Sequence, residues 1–233
     1  MTTRRIYGWL GAGWLLAITA GVPVCAQSRL TGWTRATLCA HLAGKWSAEA
    51  EGQLRRQNNT DQELMAAPLL YSVRTYVHYD PTKHLRVSLS PFAWFEHYAL
   101  DNKGKLSKTH EYRLTLAAIL GTDIHRHVRL YTRPGLEYRM RPQRTDELRP
   151  RLQAGVRWQL SPALSVRPFN ELFMTYYTGT GRTTFDQNRS GVSLMWHITG
   201  QAEAEAGYLH AQRSSSASEN IFVNFQYRIG KVR

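Results

Sequence analysis

The stretch VRLYTRPGLEYRMRPQRTDELRPRLQAGVRWQL, residues 128 to 160, places charged and apolar side chains on alternating positions. Because successive side chains of a β-strand point to opposite faces, each half predicts a strand with one apolar and one arginine-rich face. The charged faces carry Arg129, Arg133, Glu137 and Arg139 in the first half and Arg149, Arg151 and Arg157 in the second. The stretch therefore predicts two neighbouring strands whose apolar face meets either a protein core or lipid.

The same alternation continues along most of the chain between Trp46 and Ile229 and predicts ten strands. The earlier segment from Leu30 to Leu42 is predicted to be extended, but its two faces are poorly separated. Short turns are predicted near Asp80, Ser161 and Thr199, and longer polar loops near Asn58, Lys103, Thr180 and Ser215. Since bacterial barrels usually contain an even number of antiparallel strands, Leu30 to Leu42 either stays out of the wall or pairs with a strand that the pattern does not reveal.

Strand length, loop asymmetry and aromatic placement favour lipid over a protein core. Most predicted strands have ten residues or more, as a tilted membrane-spanning strand requires. Two belts of aromatic side chains are typical of the two membrane interfaces. The belt at the short-turn ends comprises Trp46, Tyr79, Trp158, Trp196 and Tyr227, and the belt at the long-loop ends comprises Tyr112, Tyr138 and Tyr176. We expect an all-β fold, a closed antiparallel transmembrane β-barrel of about ten strands (ten to twelve), with short periplasmic turns and longer extracellular loops. A secreted soluble β-sandwich that binds a ligand is the alternative, and it leaves the two belts unexplained.

The N-terminus predicts export. Residues 1–26 read as a secretory signal peptide, with a basic start at Arg4 and Arg5, an apolar centre and small residues at the cleavage site. The barrel domain is then residues 27–233, and we expect it in the bacterial outer membrane. Lipid modification of Cys25 is a weaker alternative, because a valine precedes that cysteine. After cleavage Cys39 is the only cysteine, so no intramolecular disulfide can form.

The chain is strongly basic, and removal of Arg4 and Arg5 lowers its formal net charge of +13 by two. Such a charge often indicates a nucleic-acid partner, but the export signal and the spacing of the arginines along strands argue against one. The expected partners are outer-membrane lipid and, during insertion, the barrel assembly machinery. The oligomeric state is left open.

The polar faces are expected to line the lumen of the barrel. The inward positions hold Arg55, Arg74, Arg86, Arg113, Arg129, Arg133, Arg139, Arg149, Arg151, Arg157, Arg167, Arg189 and Arg228, together with Glu49, Glu51, Glu96, Glu111, Glu137, Glu171, Glu203 and Glu205. Because a barrel of this size is narrow, most of these arginines should bind the glutamates in buried networks. The excess of arginine suggests a small, anion-preferring pore, whereas a fully packed lumen suggests a structural role. No cofactor is expected.

Catalysis is not expected, although a lipid-modifying barrel enzyme of the lipid A deacylase or phospholipase type is an alternative. Its candidate residues are His210, Ser214 and Glu219, which could form a Ser-His-acid set near the outer leaflet. Against this reading, no histidine has a serine two residues after it, the spacing found in such barrel enzymes. Asp123, His125 and His127 lie in one turn, but no further ligands complete a metal site.

Several short motifs occur in an order that resembles a known family. They are Trp46 in GKWSAEAEGQLRR, residues 111–113, Arg133 with Glu137 and Arg139, residues 170–173, residues 186–189 and residues 207–209. Together they resemble DUF2490, a family of bacterial outer-membrane barrels typical of Bacteroidetes, from about Trp33 to the C-terminus. The resemblance implies a closed antiparallel barrel and no assigned activity or catalytic residue. The chain departs from the usual outer-membrane ending, because residues 231–233 do not finish on an aromatic side chain.

Overall fold

In a computed structural model the chain forms a closed β-barrel. The structure describes residues 28–61, 63–101, 103–142 and 144–230, so the predicted signal peptide lies outside the described residues. Eleven strands follow one another along the chain: β1 (Ser28–His41), β2 (Trp46–Gln57), β3 (Ala67–Thr82), β4 (Leu85–Leu100), β5 (Leu106–His125), β6 (Val128–Met140), β7 (Glu147–Ser161), β8 (Leu164–Tyr177), β9 (Arg182–His197), β10 (Ala202–Arg213) and β11 (Ala217–Ile229). Among the described residues, no helix is long and apolar enough to cross a membrane.

Sequence neighbours pair antiparallel around the whole barrel, and one parallel pairing closes it. The segment with poorly separated faces is part of the wall, since β1 pairs antiparallel with β2 and parallel with β11. The register of the parallel pair runs from Ser28 beside Ala217 to Ala40 beside Ile229. The expected even strand number therefore does not hold, because a parallel seam allows an odd number of strands to close.

The two ends of the barrel differ in their connections, although the predicted long loops near Thr180 and Ser215 have only four and three residues. At one end, which we call the turn rim, β3 and β4, β5 and β6, and β7 and β8 are each joined by two residues. At the other end, which we call the loop rim, the connections from β2 to β3 and from β6 to β7 are longer. Ser28 lies at the loop rim, because β1 runs in the same direction as β11.

The outer face of the barrel is apolar. Large apolar side chains at alternate positions of the strands are exposed there, as the predicted period of two requires. On β5, β7 and β9 they include Leu114, Leu116, Leu152, Leu160, Val192 and Leu194. A soluble protein rarely exposes so continuous an apolar surface, whereas a barrel wall in lipid does.

A β-bulge in β4 changes which side chains face inward. The register shifts between Leu89 and Phe92 in the pairing with β3 and between Ser90 and Ala93 in the pairing with β5. Both shifts enclose Pro91, which has no N–H to donate to the sheet. Ala93 and Phe95, expected on the outer face, are consequently only 1% and 2% exposed inside the barrel. The prediction that Glu96 lines the lumen is wrong for the same reason.

Apolar side chains also fill part of the interior. Trp33 of β1 packs with Leu209 of β10 and Phe222 of β11, and Phe169 of β8 lies against this cluster. Gly207 makes room for it, because a Cβ at this position would lie 2.5 Å from Cζ of Phe222. This cluster holds the parallel seam from the inside.

Candidate functional site

The lumen near the loop rim is lined on one side by a network of arginines and carboxylates from β5 to β9, which we call the loop-side network. Its members are Glu111, Arg113, Glu137, Arg139, Arg141, Glu147, Arg149, Arg151, Glu171, Asp186 and Arg189. Glu111 accepts hydrogen bonds from Nη2 of Arg139 at 3.0 Å and from Nε of Arg141 at 2.7 Å, and it also pairs with Arg113. Burial opposes the charge of Arg141, which follows β6, but the hydrogen bond and charge of Glu111 raise the pKa of its guanidinium.

Glu137 joins three strands of the loop-side network. Its Oε1 accepts a hydrogen bond from Nη1 of Arg151 at 2.7 Å, and its Oε2 lies 3.4 Å from Nη1 of Arg149 and 3.5 Å from Nη1 of Arg113. The carboxylate is almost completely buried, so only these arginines offset the cost of removing its charge from water. Glu137 therefore connects β5, β6 and β7 through charge as well as through the backbone.

Two further glutamates bind arginine near the middle of the lumen. Glu51 of β2 lies 3.3 Å from Nη1 of Arg35 and also pairs with Arg74 of β3. Glu205 of β10 pairs with Arg167. The same glutamate accepts hydrogen bonds from Oγ of Ser193 at 2.6 Å and from Nδ2 of Asn224 at 2.8 Å.

Smaller groups occupy the turn-rim half. Arg86 forms a two-pronged pair with Asp80, with both hydrogen bonds at 2.7 Å. Glu203 lies 2.9 Å from both Nδ1 of His197 and Nη2 of Arg228. In the same half Glu49 lies 3.4 Å from Nε2 of His78 and 3.6 Å from Sγ of Cys39, and Arg129 lies 3.2 Å from Asp123.

Three inward arginines have no carboxylate within ion-pair distance among the described residues. Arg55 of β2 lies over the ring of Trp33 at 3.7 Å and donates to Gln53 at 3.0 Å. Arg133 of β6 and Arg157 of β7 have neither an ion pair nor a hydrogen bond within the described part of the chain. Both side chains line the cavity inside the barrel, so their positive charges contribute to its lining.

The cavity has a volume of about 760 Å³ and extends along the lumen. Sixteen arginines but only eight carboxylates line it, and no lysine is among its described lining residues. Arginine keeps its charge even when buried and presents several N–H donors in a fixed plane. The cavity is therefore a positively charged compartment whose chemistry suits anions.

Glu96 was predicted to line the lumen, but it lies on the outer face near the loop rim. It is the cross-strand partner of Tyr71 on β3 and His110 on β5, accepts a hydrogen bond from Tyr98, and lies 3.7 Å from Nζ of Lys108. The predicted aromatic belts occupy the outer face as well. Trp46, Trp158, Trp196 and Tyr227 are exposed toward the turn rim and Tyr112 toward the loop rim, while Tyr79, Tyr138 and Tyr176 are half-buried.

The structure brings together only part of the candidate catalytic set. Nδ1 of His210 lies 2.8 Å from Oε1 of Glu219, the residue opposite it on β11. Ser214 follows β10 in the loop, and no hydrogen bond joins it to His210 within the described residues. The enzyme hypothesis with Ser214 thus has a His-acid pair without its serine.

The turn that holds Asp123, His125 and His127 lies at the turn rim. The two imidazole rings are 5.8 Å apart, and Asp123 pairs with Arg129. Within the described ranges, no group of three or more His, Cys, Asp or Glu side chains is arranged to hold a metal ion.

Several lumen residues are not among those predicted from the sequence. Arg35 lies on β1, whose two faces the sequence pattern did not separate. Glu147 is the first residue of β7, and Asp186 lies at a bulge in β9. Arg141 and His97 also contact Glu111. A period of two cannot assign a face at strand ends or at bulges, and this is where most of these residues lie.

Comparisons with known proteins give a family and two structural likenesses. The family described as "Protein of unknown function (DUF2490)" matches residues 30–222. The chain is similar to the Ralstonia pickettii toluene transporter TbuX, with 12% identity, a TM-score of 0.40, and coverage of 82% of this chain and 71% of that one. It is also similar to the translocator domain of the autotransporter NalP from Neisseria meningitidis, with 12% identity, a TM-score of 0.46, and coverage of 77% and 72%. No curated protein matches the chain.

Proposed function

The chain belongs to the DUF2490 family of proteins of unknown function, and we propose that it acts as a small, anion-preferring pore in the bacterial outer membrane. The observation that carries the proposal is the twofold excess of arginines over carboxylates around the lumen cavity. An apolar outer face around a charged interior is the arrangement that a barrel in lipid requires. The predicted signal peptide would direct the chain to that membrane.

Arg133 and Arg157 give the proposed pore its anion preference. Most other inward arginines are neutralised by carboxylates, whereas these two face the cavity without one among the described residues. A permeating anion would therefore meet fixed positive charge in a narrow, low-dielectric channel, where Coulomb attraction is stronger than in bulk water.

The loop-side network limits what could pass. It follows the inner wall from β5 to β9 with buried, mutually paired side chains that project into the lumen and narrow it. We therefore expect a low conductance and passage of small inorganic or organic anions, not of folded or polymeric solutes. The same network would act as structural packing if the lumen did not conduct.

The test is a planar-bilayer recording on refolded full-length protein with a salt gradient across the membrane. We expect discrete conductance steps whose reversal potential shows that chloride is preferred over potassium. The double variant Arg133→Gln/Arg157→Gln should lose most of this preference. Arg126→Gln/Arg182→Gln is a matched control, because it removes the same two charges from exposed positions that do not line the cavity.

A silent bilayer, from protein that shows heat-modifiable mobility on a gel, would contradict the pore and favour a packed, structural barrel. Equal mobility of boiled and unboiled samples would instead contradict the membrane barrel itself. Membrane fractionation and N-terminal sequencing would test export separately, with Gln27 expected as the first residue of the mature protein.

A further inference from the structure

A row of polar side chains crosses four neighbouring strands on the mainly apolar outer face. Asn170 of β8 is the cross-strand partner of Ser190 on β9, Ser190 is the partner of His210 on β10, and His210 is the partner of Glu219 on β11. Directly opposite side chains on one face of an antiparallel pair have Cβ atoms about 5 Å apart. The register therefore places a serine and a carboxylate on opposite sides of one histidine.

Two hydrogen bonds order this row. Nδ1 of His210 lies 2.8 Å from Oε1 of Glu219, and Oε2 of the same carboxylate accepts a hydrogen bond from the hydroxyl of Tyr208. Nδ2 of Asn170 donates to Oγ of Ser190 at 2.8 Å. A carboxylate at Nδ1 holds the proton on that nitrogen and leaves Nε2 able to accept one.

We propose that Ser190, His210 and Glu219 form a hydrolytic site for a fatty acyl ester of a membrane lipid. The acid, histidine and serine follow one another across β11, β10 and β9 in the order that nucleophilic catalysis requires. Nε2 of His210 is directed away from Glu219, and its nearest polar contact is a long one, 3.4 Å to Oε1 of Gln212. His210 and Ser190 are direct cross-strand partners, so the proposal requires a change of side-chain rotamer that brings Nε2 to the serine hydroxyl when substrate is bound.

The reaction needs only the lipid and water. Oγ of Ser190 attacks the carbonyl carbon of the ester while Nε2 of His210 takes the hydroxyl proton. The carbon–oxygen bond to the lipid breaks, and His210 returns the proton to the leaving oxygen, which leaves a fatty acyl group on Ser190. Water, deprotonated by His210, then attacks this acyl ester, the fatty acid leaves, and the proton returns to Ser190. Glu219 stabilises the protonated histidine in both halves.

The position of the row matches the depth of lipid esters. His210 lies eight residues from Ala202 at the turn-rim end of β10, a rise of about 20 Å for a tilted strand within an apolar band about 25 Å tall. The site is accessible from outside, since the His210 side chain is 41% exposed. Exposed Val192 and Ile221 adjoin it on β9 and β11 and offer an apolar surface for an acyl chain. A lipid could therefore place its ester at Ser190 without leaving the membrane.

The first test identifies the nucleophile with hexadecanesulfonyl fluoride, a serine-reactive probe with a lipid-like chain. The refolded full chain is treated in micelles, digested and analysed by mass spectrometry. We expect a hexadecanesulfonyl group on Ser190, lost in His210→Ala and reduced in Glu219→Gln, with each variant keeping its heat-modifiable mobility. Absence of the adduct on Ser190 of folded protein would overturn the proposal, as would equal labelling of Ser190 and the exposed loop residue Ser214.

The second test measures fatty acid released from vesicles of phosphatidylethanolamine, and from the same vesicles containing lipid A. Release in either arm supports the proposal, and the arm shows which lipid supplies the ester. Ser190→Ala and His210→Ala should each lower the rate roughly a thousandfold, whereas Ser214→Ala should leave it unchanged. Release that survives Ser190→Ala, or no release in either arm, would overturn the proposal. Bilayer conductance of Ser190→Ala reports on the pore separately, because Ser190 does not line the cavity.

Discussion

Nη1 of Arg151 donates a hydrogen bond to Oε1 of Glu137 at 2.7 Å inside the barrel, and so joins β7 to β6 through a buried ion pair. Glu137 also contacts Arg113 and Arg149, and Arg151 also pairs with Glu171 on β8. The pair is thus the centre of the loop-side network, and we expect single substitutions there to reduce the stability of the barrel most.

Glu137→Gln should destabilise the barrel by about 3–5 kcal/mol, because it leaves buried arginines without their shared counter-charge. The measurement is the free energy of unfolding in urea with refolded protein in micelles. Glu96→Gln is the matched control, since Glu96 lies on the outer face, and its effect should stay below about 1 kcal/mol. Equal losses in the two variants would contradict both the network and the corrected face of Glu96.

Charge reversal should have different effects at Arg151 and at Arg157, although the two residues are only six positions apart on β7. Arg151→Glu places a third carboxylate beside Glu137 and Glu171, so we expect a much lower refolding yield. Arg157 has no carboxylate within ion-pair distance in the described residues, so Arg157→Glu should refold and instead weaken anion preference. The fraction of heat-modifiable protein on a gel measures the first effect, and a similar loss for both variants would be evidence against the difference.

The bulge at Pro91 can be tested by labelling. In a Cys39→Ser background, Glu96→Cys should react with a water-soluble maleimide in micelles, because this position is on the outer face near the loop rim. Phe95→Cys should be protected, since Phe95 is buried against Arg113, whose guanidinium lies 3.7 Å from the ring centre. The opposite labelling pattern would show that β4 continues without a bulge.

The parallel seam predicts a cross-link between the first and last strands. Ala36 and Phe225 are partners in the β1–β11 register. The double variant Ala36→Cys/Phe225→Cys in the Cys39→Ser background should form a disulfide that changes gel mobility without reducing agent. Ala36→Cys with Tyr208→Cys, on β10, is the control pair that should not cross-link. Failure of the seam pair to oxidise in folded protein would place β1 outside the wall.

The wall of the barrel could be predicted from the sequence because its rule is local. Alternation alone assigned the apolar outer positions of β5 and β7, and turn residues located the short connections. It failed in β4, where one bulge exchanged the faces of Phe95 and Glu96. It also gave no answer for β1, because the large side chains of Trp33 and Arg35 face inward there while mostly small residues, apart from Leu38, take the outer face.

The candidate sites were less predictable because they depend on register between strands. The sequence placed His210 near Glu219, but it favoured Ser214, which is only four residues away in the chain. Ser190 lies twenty residues earlier and becomes a neighbour of His210 only through pairing of β9 with β10. Likewise, an arginine finds a carboxylate only if one lies within its reach on another strand. The sequence pattern along a single strand does not contain this information.

Because an odd number of strands forms the wall, the first strand begins at one rim of the barrel and the last strand ends at the other. With Ser28 at the loop rim and Gly230 beyond β11 at the turn rim, the two ends of the wall are exposed on opposite sides of whatever membrane holds it. If the short turns face the periplasm and the longer loops face outward, as the sequence predicts, a peptide tag joined ahead of Ser28 would be displayed to antibodies on intact cells. A tag placed after Gly230 would be stained only once the outer membrane had been permeabilised.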